Sequence, residues 1–152
     1  MKRAASFEPQ PFFKLRIKTV ETLSVWSKIA LVGVSGGLGA ICRYFVMLPF
    51  HSYSTPHPGL GTLIVNTAAC FLIGIFAGWL AVSPWNNVNK EIFLLVTMVG
   101  FCGGFSTFSA FTLDCVKYVE SGQFWIWLIF GSLTVFLGLF LCMLGYWLGH
   151  KL

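Results

Sequence analysis

Charge is what this sequence of 152 residues has least of: Asp, Glu, Lys and Arg together make up 10% of it, and 57% is hydrophobic. A soluble domain carries roughly 25% charged residues. A chain so poor in charge cannot cover a water-facing surface, which excludes a soluble single-core globule, a disordered chain and a coiled coil. Metal and redox chemistry are equally thin. The five cysteines (Cys42, Cys70, Cys102, Cys115, Cys142) are odd in number, none forms a CxxC, and all fall in or beside apolar runs. Cysteine behaves there as a small hydrophobe. HExxH and Walker lysine motifs are absent. His51 and His57 sit in a Pro-rich stretch and His150 is near the end of the chain, so all three read as solvated loop residues.

What is present is long apolar runs. A membrane-spanning helix needs about 20 mostly apolar residues. Four such spans are expected, over about Ile29–Leu48, Leu60–Val82, Glu91–Leu113 and Phe124–Leu148. Pro49, Pro56, Pro58 and Gly59 mark the first loop, Pro84, Asn86, Asn87 and Asn89 the second, and Ser121 and Gly122 the third. Trp79, Trp85, Trp125, Trp127, Tyr146 and Trp147 fall near span ends, as an interfacial aromatic belt does. Glycines four apart (Gly33/Gly37, Gly74/Gly78, Gly100/Gly104, Gly145/Gly149) suit close helix packing in lipid and an oligomeric bundle. The division expected is a basic N-terminal tail over 1–28 and a four-helix transmembrane domain over 29–152.

The net charge of +5 would suggest a nucleic-acid partner in a soluble protein. Here placement matters more. Lys2, Arg3, Lys14, Arg16, Lys18 and Lys28 precede the first span, and Arg43, Lys90, Lys117 and Lys151 follow. The alternating Phe12–Val25 stretch suits either a surface-lying amphipathic helix on anionic lipid or a solvated tail; no fold there could organise nucleic acid. Four spans put both termini on one side, and the positive-inside rule places that side in the cytoplasm. Within reach of the spans, six basic residues on that side oppose two on the other.

The few polar interruptions carry the information. In the third span, Gly103-Gly104-Phe-Ser106-Thr107 weakens the helix at mid-membrane. The stretch is either a flexible helix packed through its glycines or a broken one whose freed carbonyls coordinate a small cation. Phe108 and Phe111 share a helical face that Asp114 continues; the positive edges of such rings can hold a small anion, while core or lipid-facing packing is the plain alternative. Asn66 can donate to an anion or bond another helix. Thr134, one turn after Phe130, can face a pore or bond its own helix. Arg43 can draw anions inward or snorkel to the headgroups. No acid lies in the first, second or fourth span, which counts against the alternative function of a small proton-coupled exporter of organic cations.

Three motifs, one per successive span, are Gly36-Gly-Leu-Gly39-Ala40…Arg43-Tyr44, Gly61-Thr62-Leu…Val65-Asn66 and Gly103-Gly104-Phe-Ser106-Thr107-Phe108-Ser109-Ala-Phe111. With them the chain resembles the Fluc/CrcB family of fluoride channels over roughly residues 29–150. The resemblance implies an all-α membrane protein of four transmembrane helices with a broken third helix, paired as an antiparallel, dual-topology homodimer with two pores. It implies passive export of fluoride from the cytoplasm across the bacterial inner membrane, and no enzymatic activity. It further implies a pore lined by Asn66, Phe108, Phe111, Phe130 and Thr134, with Arg43 and Asp114 near vestibules. It also implies a structural sodium (Na+) held by backbone carbonyls of Gly103 and Ser106 from both subunits. Ser106 stands where Thr is frequent, Ala110 replaces a usual hydroxyl residue, Phe130 stands where Tyr is usual and Thr134 where Ser is usual. The partners implied are fluoride, sodium, the lipid bilayer and a second copy of the chain.

Overall fold

The computed structural model describes residues 23–50 and 59–152. The basic residues Lys2, Arg3, Lys14, Arg16 and Lys18, the Phe12–Val25 stretch up to residue 22, and the loop histidines His51 and His57 lie outside the described residues. Every element described is helical, and four helices are long and apolar enough to cross a membrane: Val25–Phe50, Leu60–Val82, Asn87–Glu120 and Phe124–Gly149.

Local chemistry sets the boundaries. Helix α1 (Val25–Met47) starts at Ser24, whose hydroxyl accepts from the Ser27 amide at 3.2 Å, and runs into a short 3-10 turn, Leu48–Phe50. It therefore begins four residues ahead of the expected first span. Lys28 closes the first turn of α1, and its ammonium pairs with Glu91, whose side chain is buried. Helix α2 (Leu60–Val82) stops at Ser83, which turns extended (ψ 132°) ahead of Pro84, as a residue before proline does.

The third span is the irregular one. It comprises α3 (Asn87–Phe93), capped by the Asn86 side chain at 2.9 Å from the Asn89 amide, a wide π-helical stretch Leu94–Cys102, the single turn α4 (Gly103–Phe105) and α5 (Phe108–Glu120). At 34 residues it exceeds the expected Glu91–Leu113 at both ends. The polar residues Lys117 and Glu120 simply continue α5 until Gly122, at φ +72°, turns the chain. Helix α6 (Phe124–Gly149) follows.

Two seams hold these helices together. Along α2 and α6, side chains are subtracted from both partners. A Cβ on Gly74 or Gly78 would collide with the Cys142 or Tyr146 carbonyl, and one on Gly145 or Gly149 with the Phe71 or Ile75 carbonyl. Along α1, Gly39 similarly meets the Phe101 carbonyl. Gly33 and Gly37, by contrast, face open space: among the described residues a Cβ on either would meet no atom of another element within 4 Å. The buried apolar core is small and centres on Val65, Ala69 and Phe105, beside the break between α4 and α5. Large apolar side chains instead cover the outside of all four spans, for instance Trp26, Val34, Phe136 and Met143. That surface suits hydrocarbon rather than water. At one end of the bundle Trp79 packs on Trp85 and Phe93 with ring centroids 4.7 and 4.9 Å apart.

Candidate functional site

The site is built around two residues of extended backbone. Ser106 (φ −77°, ψ 160°) and Thr107 (φ −151°, ψ 114°) separate α4 from α5, near the middle of the span. Leaving a helix there strands backbone groups that lipid cannot satisfy. Asn66 on α2 satisfies them. Its amide oxygen accepts from the Thr107 N–H at 2.7 Å, and its amide nitrogen donates to the Thr107 carbonyl at 3.0 Å. One side-chain amide thus does what a neighbouring strand would do. The Thr107 N–H must face an acceptor, which fixes the orientation of the amide. A primary amide has two N–H donors, so one remains after Thr107 is served.

Thr107 then starts the next helix. Its hydroxyl accepts from the Ala110 amide at 3.2 Å and lies 3.2 Å from the Ser109 hydroxyl. These bonds have a consequence upstream. In a continuous helix the Thr107 N–H would close on the Gly103 carbonyl, and the Ala110 N–H on the Ser106 carbonyl. Both donors are used elsewhere, so the break removes the helical partners of these two carbonyls. Neutral backbone oxygens are the ligands that hard cations take, and two oxygens are too few to enclose one. Gly103 is exposed on the surface of the chain, so oxygens from outside the chain can approach.

Asn66, Ser106, Thr107, Phe108, Phe111 and Thr134 line one groove of about 410 Å³, with Gly138 and two cysteines along its further wall. Phe108 is 76% exposed and sits with its ring centroid 5.7 Å from Phe111. Phe111 in turn lies 5.5 Å from Phe130, and Phe130 lies 5.5 Å from Tyr118. Four rings therefore run in series from the break towards the start of α2, where the Gly59 amide donates to the Tyr118 hydroxyl at 3.3 Å. Phe130 is buried in this series and does not line the groove; it backs Phe111. Thr134 does line it, but its hydroxyl donates to the Phe130 carbonyl of its own helix at 2.7 Å.

The structure places the remaining residues apart from the groove. Asp114 is buried, accepting from the Thr62 hydroxyl at 2.6 Å and from the Lys117 ammonium at 3.3 Å. Arg43 is half-buried in the last turns of α1 and forms no ion pair among the described residues. Sequence reasoning missed Thr62 and Tyr118 as members of this region. Their signal was spacing: Thr62 is one turn before Asn66, and Tyr118 one turn after Asp114.

Fold and groove together define a multi-pass membrane protein in whose third span Ser106 and Thr107 are extended and Thr107 is bonded by a side chain of α2. The chain belongs to the CrcB family: the profile described as CrcB-like protein, Camphor Resistance (CrcB), matches residues 30–146. Among curated relatives it is 39% identical over 115 residues to the "Fluoride-specific ion channel FluC" of Flavobacterium psychrophilum, covering 73% of this chain and 87% of that one. The protein of the same name from Pyrococcus horikoshii is 39% identical over 127 residues, 81% of this chain and 96% of that one. That from Phocaeicola vulgatus is 32% identical over 122 residues, 80% of this chain and 98% of that one. The exporter alternative finds no support in these relatives.

Proposed function

We propose that the chain is a fluoride-selective channel that passes the anion passively out of the cytoplasm and so limits its toxicity; it is not an enzyme. The observation that carries this is the two-point bond between Asn66 and Thr107, which holds the break open beside Phe108, Phe111 and Thr134 in one groove. A dehydrated anion needs donors close by but must also leave. Asn66 offers its remaining N–H. The first amides of α5 supply the positive end of a helix, and Phe108 and Phe111 offer ring edges. Phe130 contributes by holding Phe111 in place. Arg43 raises the local anion concentration at a vestibule, and Asp114 shapes the other approach while Lys117 offsets its charge.

The working unit in this reading is an antiparallel, dual-topology homodimer with two pores. Two carbonyls per chain, Gly103 and Ser106, become four around a two-fold axis, enough oxygen for a structural sodium ion. The bare face at Gly103 and the unpacked Gly33 and Gly37 suit a second chain. The test is efflux from liposomes that hold the pure protein. Fluoride should leave while chloride stays; no fluoride efflux, or equal chloride efflux, overturns the reading. Replacing sodium by a larger cation should weaken the dimer. Thiol labelling of both termini should find each on both sides of the membrane, and one side alone would rule out the dual-topology homodimer.

A further inference from the structure

The far wall of the groove carries two thiols that anion conduction does not use. Cys70 on α2 and Cys142 on α6 both line it, beyond Asn66 and Thr134. The seam between these helices sets them one helical turn apart on neighbouring helices. A Cβ on Gly138 would lie 3.2 Å from the Cys70 sulfur, and one on Gly74 would collide with the Cys142 carbonyl. Cys70 therefore lies across Gly138, one turn before Cys142 on α6, while Gly74, one turn after Cys70 on α2, abuts Cys142 itself. Both sulfurs are free and only half-buried. Among the described residues no cluster of three or more His, Cys, Asp or Glu could enclose a metal ion.

We propose that Cys70 and Cys142 form a two-sulfur site for a thiophilic monovalent cation, Ag+ or Cu+, and that its occupation closes the groove to fluoride. Soft thiolate ligands select such ions over hard ones. The wall around the sulfurs is hydrocarbon apart from the Thr134 hydroxyl, which donates within its own helix, so a hard cation finds no better ligand there. In the binding step each S–H bond breaks, two S–Ag bonds form and two protons leave to water, as metal binding to thiols requires. The product, two thiolates on one Ag+, carries one net negative charge. It would repel fluoride as well as fill the groove.

The closing role rests on the proposed fluoride function, whereas the metal site does not. Purified protein is exposed to silver nitrate in chloride-free buffer, and silver retained per chain and fluoride efflux are both measured. Each variant is normalised to its own efflux without silver. Wild type should retain silver after desalting and lose about tenfold or more of its efflux. Cys70→Ser, Cys142→Ala and the double variant should lose both effects, and Cys42→Ser and Cys115→Ser neither. Equal silver retention in the double variant overturns the site. Silver retained by wild type without loss of efflux overturns the closing role. If wild type passes no fluoride at all, the functional reading falls, and silver retention alone still decides the site.

Discussion

Helix α2 faces two neighbours and solves the two contacts in opposite ways. Towards α6 its closest approaches are made by backbone: Gly74 and Gly78 let the helices touch, and α6 answers with Gly145 and Gly149. Towards the third span it offers Asn66, which replaces missing backbone partners at Thr107. The first contact keeps both helices regular. The second permits an irregular backbone at a depth where lipid would not tolerate one. Rigidity on one side of α2 is what lets Asn66 serve as a fixed clamp on the other, and the groove lies between the two.

The comparison is easiest to break at the seam. Gly74→Leu places a branched side chain where not even a Cβ fits, and overpacking costs about 1–3 kcal/mol or more. The expected outcome is loss of monodisperse protein in size-exclusion chromatography; normal assembly would show that the helices can separate. Next comes the clamp. Asn66→Ala strands the N–H and carbonyl of buried Thr107, at about 1–3 kcal/mol for each unpaired group. Because 1.4 kcal/mol is about tenfold in rate, efflux should fall by about tenfold or more while the purified protein stays monodisperse. Asn66→Asp sharpens the point. It still accepts from the Thr107 N–H but repels its carbonyl and any anion, so efflux should be lost as completely as with Ala. Efflux near wild type in Asn66→Asp would assign the asparagine a capping role only.

A smaller effect is expected at the start of the third span. Glu91 is buried and one of its oxygens has no hydrogen-bond partner among the described residues, while Lys28 holds the other. Lys28→Met leaves that carboxylate uncompensated; since the lysine side chain keeps 26% of its exposure, solvent relieves part of the penalty, leaving about 1–2 kcal/mol. The double variant Lys28→Met with Glu91→Leu removes the buried charge as well and should recover most of the loss in thermal midpoint. If the double variant melts lower than Lys28→Met alone, the pair stabilises by its own attraction rather than by cancelling a buried charge.

Which parts were readable from the sequence follows the same division. The four spans, the breaker residues between them and the glycine seam of α2 and α6 are local patterns, visible in composition and in four-residue spacing. The weakness at Gly103–Thr107 and the shared face of Phe108 and Phe111 are local too. What no local pattern holds is the identity of partners. Asn66 meets Thr107 across 41 residues, and a side chain that completes another helix's backbone leaves no periodic trace. Lys28 likewise meets its partner Glu91 across 63 residues. Gly33 and Gly37 share the spacing of the α2–α6 seam but meet no other described element within 4 Å, because spacing alone does not name the surface a glycine faces.

Thr134 is where the clamp and the groove wall are hardest to tell apart, and it carries the smallest expected effect. It lines the groove, so a donor role towards the anion is natural, yet its proton already lies on the Phe130 carbonyl at 2.7 Å. Serving an anion would mean giving up that bond, and a hydroxyl in a helix gains little by doing so. Thr134→Val keeps the shape and removes the proton, so efflux should fall by about threefold or less. A loss as deep as that of Asn66→Ala would mean that the hydroxyl turns from Phe130 to the passing ion. The groove would then supply its donors from α6 as well as from the clamp on α2, and the division of labour between the two faces of α2 would have to be redrawn.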